Sequence, residues 1–140
     1  MQGVSTEMDK VTVAIKNESD IVAARQAGRQ MLRELGFSSV DQTRLATAIS
    51  ELTRNVIKYA GEGECRIIDE SNPVMIQVKI VVEDHGSGIP DIDEAMTVGF
   101  STGNSMGAGL PGTQRLVHDF YIESEPGHTE VTVLMMKLRG

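Results

Sequence analysis

The chain has one cysteine, Cys65, in 140 residues, so no internal disulfide can form. A lone thiol suits a reducing compartment. Positive charge is scarce: 13 Lys and Arg stand against 20 Asp and Glu, for a formal charge of −7. Such a chain is a poor sink for nucleic-acid phosphates. Long apolar runs are missing as well. The longest, Val74 to Val82, is broken by Gln77 and Lys79 and cannot cross a membrane as a helix. Met1 to Lys10 is polar and contains acids, without the basic-then-apolar order of a secretory signal. These absences point to a cytoplasmic protein with neither a membrane nor a nucleic-acid partner. Familiar catalytic signatures are absent too. There is no G-x-x-x-x-G-K-[ST] phosphate loop and no H-R-D or D-F-G element. His85, His118 and His128 lack the spacing of zinc ligands.

What is present suits one ordered domain over residues 1–140. The apolar fraction of 40% argues against global disorder. Val11 to Ile15 alternates as a strand does. Ser19 or Asp20 is placed to cap a helix carrying Ile21, Ala24, Gly28, Leu32 and Leu35, ended by Gly36. Ser39-Val-Asp-Gln42 has the form of a capping box and opens a second helix that runs to about Ala60. Ile67–Ile68 and Ile76–Val82 read as strands. Asp91 to Met96 fits a short helical turn, and a helix is predicted from Leu110 to Phe120 with Pro111 in its first turn. Tyr121–Glu123 and Glu130–Leu138 read as closing strands. The sum is an α/β two-layer sandwich, a mostly antiparallel mixed sheet with helices on one face.

Three segments carry candidate chemistry. In Glu51-Leu-Thr-Arg-Asn55, Glu51 and Asn55 are i and i+4 and stack on one side of the helix. At about 100° per residue they border the apolar stripe, with Lys58 near them and Arg54 on the opposite face. The same spacing also fits a solvated helix face. In Glu83-Asp84-His-Gly86-Ser-Gly88, a strand ends in a carboxylate beside a backbone with no Cβ. A planar ring could approach there, and Asp84 could accept a hydrogen bond from an exocyclic amine. An ordinary Asp/Gly turn has the same composition. The third segment runs from Ser101 and Thr102 through Gly107 and Gly109 to Leu110 and Gly112. Backbone N–H groups of a glycine loop entering a helix can face phosphates, and a flexible surface loop would look alike. Gly107 to Gly112 also satisfies G-x-G-x-x-G, but it lacks the preceding strand that dinucleotide binding needs.

Each motif is weak alone; their order is not. Glu-x-x-x-Asn, then Asp-x-Gly-x-Gly, then a Gly-x-Gly-Leu loop resembles the N, G1 and G2 boxes of the GHKL ATPases, which share the Bergerat ATP-binding fold. Within them the chain is most similar to the anti-sigma-factor-type serine/threonine kinases of bacterial stressosomes. Asp20-Ile-Val-Ala-Ala-Arg-Gln26, Ala48-Ile-Ser-Glu-Leu52, Gly88-Ile-Pro-Asp-Ile92, Gly99-Phe-Ser-Thr102 and Leu138-Arg-Gly140 carry that likeness. The resemblance implies an ATP- and Mg²⁺-dependent protein kinase of a stress-signalling switch. It implies that Glu51 is the general base and that Asn55 coordinates Mg²⁺ bridging the phosphates. It implies that Asp84 reads the adenine amine, with Gly86 and Gly88 allowing close approach. Gly107, Gly109 and Leu110 would cover the phosphates as a lid, with Ser101 and Thr102 in the same loop. Lys58, in Asn55-Val-Ile-Lys58-Tyr59, would meet phosphate. The late Gly-x-Gly-Thr element reads Gly127-His128-Thr129, one glycine short, with Thr129 at the adenine. Implied partners are STAS-domain proteins phosphorylated on Ser or Thr, and a PP2C-type phosphatase activated by binding. An ATP-gated sequestration module and an ATP hydrolase are the rival readings of the same residues.

Overall fold

The computed structural model describes residues 4–7, 10–86 and 109–139. In chain order these form β1 (Val4–Glu7), β2 (Lys10–Ile15), α1 (Glu18–Glu34), α2 (Ser39–Ala60) and β3 (Gly63–Asp69). Then come β4 (Met75–Asp84), α3 (Gly109–Leu116), β5 (Asp119–Glu125) and β6 (His128–Leu138). The expected turn at 91–96 and the loop residues Gly88, Ser101, Thr102 and Gly107 lie outside the described residues.

Both long helices start one to three residues earlier than the sequence suggests. Asn17, not Ser19 or Asp20, caps α1. Its side chain accepts from the Asp20 N–H at 3.2 Å, and the Asp20 carboxylate accepts from the Asn17 N–H at 3.2 Å. Asp20 is therefore the reciprocal partner of the cap. Ser38, not Ser39, caps α2 by accepting from the Asp41 N–H at 3.1 Å. Gln42, assigned to a capping box, instead donates to the Phe37 carbonyl at 3.1 Å. Helix α1 stops where Gly36 takes φ of 84°. The Phe37 N–H then reaches the Leu32 carbonyl at 2.9 Å and the Gly36 N–H that of Arg33 at 3.1 Å. This pair of bonds is a Schellman cap, which needs a left-handed residue at that point.

The six strands lie in the order β1-β2-β3-β4-β6-β5, and every described pair is antiparallel rather than mixed. Several boundaries differ from expectation. Helix α3 ends at Leu116 instead of Phe120, and β5 begins at Asp119 instead of Tyr121. The reason is pairing with β6: the His118 N–H donates to the Leu134 carbonyl at 2.9 Å, which draws the chain into the sheet. Polar β1 has too little apolar alternation to read as a strand, yet it pairs with β2 from Val4↔Val13 to Glu7↔Lys10.

Register sets the two faces. Val13, Cys65, Val82 and Val131 stand opposite one another across four strands, as do Ile67, Ile80 and Val133. All are buried against α1 and α2. Each fully buried aliphatic side chain of this layer contributes about 1.5–3 kcal/mol. Side chains alternate across a strand, so Glu64, Arg66, Glu83 and Glu130 point to the other face.

Candidate active site

Helix α2 buries Leu45, Ala48, Ile49, Leu52 and Val56 on one stripe. Glu51 and Asn55 sit half-buried at its border, as helical spacing requires. The buried hydroxyls of Ser50 and Thr53 are satisfied within the helix, donating to the carbonyls of Ala46 (2.9 Å) and Ile49 (2.7 Å). Arg54 corrects the sequence reading. Its stem leaves the exposed side, but Nη1 reaches back to Glu51 Oε1 at 3.0 Å. A guanidinium thus holds one oxygen of the carboxylate assigned as the base. Lys58 is exposed, with Nζ 5.2 Å from the Tyr59 ring centroid.

The end of β4 brings Asp84 opposite both Gly63 of β3 and Thr129 of β6. Asp84 Oδ1 accepts from the Gly86 N–H at 3.0 Å. Among the described residues its second oxygen has no hydrogen-bond partner, so it can accept from a ligand amine. Thr129 is buried, and its hydroxyl shares a 2.7 Å hydrogen bond with that of Ser124.

Two glycines let α2 close onto these strand ends. A Cβ at Gly86 would lie 2.6 Å from Ala60 Cβ and 3.0 Å from Ala60 Cα. A Cβ at Gly63 would lie 2.5 Å from the Glu83 carbonyl and 2.7 Å from Val56 Cγ1. Gly86 was assigned to the approach of a ligand ring, but its bare Cα already serves the approach of a helix. Gly63 opens β3. Its contact with β4 and α2 is long-range and leaves no local signal.

Gly109 opens α3, whose backbone N–H groups begin the helix packed beside α2. Leu110 is buried in the main core cluster. Its side chain seats the helix, which leaves its backbone N–H for any phosphate contact. Asp84 offers a carboxylate oxygen to an amine, Thr129 stands opposite it across β4 and β6, and α2 carries a half-buried carboxylate–amide pair at Glu51 and Asn55.

The sequence profile of the histidine kinase-, DNA gyrase B- and HSP90-like ATPases matches residues 40–139. The chain belongs to this family. Membership carries ATP binding with it, and the matched span contains Glu51, Asn55, Asp84, Gly86 and Thr129. A curated relative in Bacillus subtilis (strain 168), the serine/threonine-protein kinase RsbT, is 49% identical over 127 residues, covering 90% of this chain and 96% of that protein. Among solved structures, the RsbU and RsbW domains of Rv1364c from Mycobacterium tuberculosis align with a TM-score of 0.62 at 19% identity. They cover 92% of this chain, which spans 33% of that structure's length. That likeness supports the fold. Among the described residues no helix is long and apolar enough to cross a membrane.

Proposed function

We propose that this chain is a single-domain, cytoplasmic, ATP- and Mg²⁺-dependent protein-serine/threonine kinase that phosphorylates STAS-domain partners in a bacterial stress-signalling switch. The observation that carries the reading is the near full-length 49% identity to a serine/threonine-protein kinase, on a fold that keeps Glu51 and Asn55 at the border of α2 and Asp84 at the end of β4.

Phosphoryl transfer needs positioning and charge stabilisation more than covalent chemistry. Asn55 would hold Mg²⁺ through its amide oxygen, and the ion would neutralise phosphate charge. Glu51 would take the proton of the acceptor hydroxyl. Arg54 holds Oε1, leaving Oε2 for that proton. Asp84 and Thr129 would orient adenine. Docking of a PP2C-type phosphatase is the second partner role in this proposal.

Labelled ATP with a purified STAS protein tests the assignment. Glu51→Ala should retain ATP affinity and lose about 10²–10⁴-fold in transfer rate, the usual contribution of a general base. Asn55→Ala and Asp84→Asn should weaken Mg-ATP binding by calorimetry. Full transfer by Glu51→Ala removes the base role. Phosphate release with no labelled partner converts the reading to an ATP hydrolase.

A further inference from the structure

The sheet face turned away from α1 and α2 carries an unusual charge pattern. Register places Glu64 opposite Glu83, Glu83 opposite Glu130, and Glu130 opposite Glu123, a row of four carboxylates across β3, β4, β6 and β5. Like charges directly opposite one another destabilise a sheet. Arg66 answers part of the row, with Nη1 at 2.8 Å from Glu64 and 3.1 Å from Glu83 and Nη2 at 4.0 Å from Glu130. His128 reaches Glu83 at 2.5 Å. Glu123 is exposed on the edge strand and has no cation partner among the described residues.

Two neighbours make the row more than a solvated stripe. Beside Glu64 and Glu83 a cleft of about 330 Å³ opens, lined by Ala60, Glu62, Gly63, Glu64, Glu83 and His85. The adjacent row runs Arg66, Val81, Thr132, Tyr121, and Tyr121 is 57% exposed. An aliphatic stem could lie across Thr132 and Tyr121 while its cationic head met the glutamates, with a cation–π contact as a further contribution.

We propose that this open face docks an arginine- or lysine-bearing segment of a partner protein. Charge complementarity selects that occupant: such a segment supplies the cations the row lacks. A second copy of the chain is disfavoured, because a two-fold contact through this face sets each glutamate row against the other. The face also lies opposite the nucleotide site. Glu83 and His128 occupy it, while their neighbours Asp84 and Thr129 project to the helix side.

The test uses the isotopically labelled full chain and a short, end-blocked peptide of alternating arginine and valine. Amide shifts should concentrate at residues 64–66, 79–83, 121–125 and 128–134 and spare α1. Affinity should fall with salt. Glu123→Gln/Glu130→Gln should weaken binding about two- to fivefold for each carboxylate removed, the range of exposed ion pairs. Glu18→Gln/Glu34→Gln removes the same charge from α1 and should leave affinity unchanged. If the row variant melts early, Tyr121→Ala should weaken the peptide instead. Shifts scattered over the acidic surface, equal loss in the α1 control, or no binding overturns the proposal. So does a zinc titration that shifts Glu83, His128 and Glu130, whose ligand atoms lie within 4.8 Å of one another, while the peptide does nothing; the cluster is then a cation site. ATP affinity is read separately, so failure here is distinct from failure of the kinase assignment.

Discussion

Replacing Gly86 with alanine separates two explanations for one residue. If Gly86 serves only the approach of adenine, the methyl should weaken ATP binding and leave the ligand-free fold untouched. The structure says otherwise. The added Cβ would meet Ala60 Cβ at 2.6 Å and Ala60 Cα at 3.0 Å, with Asp84 Oδ1 at 3.3 Å. Backbone Cα and a methyl have no rotamer through which to escape, so α2 or the end of β4 must shift. Overpacking of this kind costs about 1–3 kcal/mol. For a chain of 140 residues, each kcal/mol lowers Tm by about 3–4 °C, which predicts a drop of about 3–12 °C without ligand. The shift also moves Asp84, so ATP affinity should fall too. Ala60→Gly removes the methyl the new Cβ would strike, at about 0.5–1 kcal/mol in helix propensity. The double variant should therefore be more stable than the two single changes add up to. Circular dichroism melting and ATP calorimetry on all four proteins complete the cycle. An unchanged Tm in Gly86→Ala, or strict additivity, refutes the packing account.

Arg54→Ala frees the Glu51 carboxylate from its 3.0 Å anchor. It should slow phosphotransfer less than Glu51→Ala does, with ATP affinity unchanged; an effect as large as Glu51→Ala would mean that Arg54 has its own catalytic role. The hydrogen bond from His128, followed by that from Arg66, holds Glu83 below the usual carboxylate range, while the bond to Glu83 raises His128. The raised His128 stabilises the fold below its ordinary value of 6.5 and loses that contribution as pH climbs through its folded value. The lowered Glu83 stabilises above 4.5 and loses its contribution as pH falls through its folded value. The pair is thus strongest between these ordinary values. Urea midpoints should decline more steeply as pH rises above 6.5 in the parent chain than in His128→Gln, and parallel curves would dismiss the pair. Cys65 is fully buried, and desolvation pushes its thiol up to about 12. A disulfide reagent should react with it only after unfolding; prompt labelling of the folded chain would contradict that burial.

Much of the architecture is legible in the sequence. Helical spacing in Leu45, Ile49, Leu52 and Val56 defined the buried stripe of α2 and put Glu51 and Asn55 on its margin. Alternation in Ile76–Val82 defined β4 and left Asp84 at its end. These are local patterns, governed by periods of 3.6 and 2 residues. Cap positions slipped because Asn17 and Ser38 compete with neighbours of equal capping ability, and hydrogen-bond geometry decides between them.

The linear chain therefore specified which residues face the core and the order of the motifs, since each depends on neighbours a few positions away. Tertiary structure alone decided that Leu110 is core, that Gly63 and Gly86 make room for α2, and that four glutamates line up across the open face. Those outcomes depend on side-chain reach, strand register and helix docking, which join residues far apart in the sequence and leave no periodic trace in it.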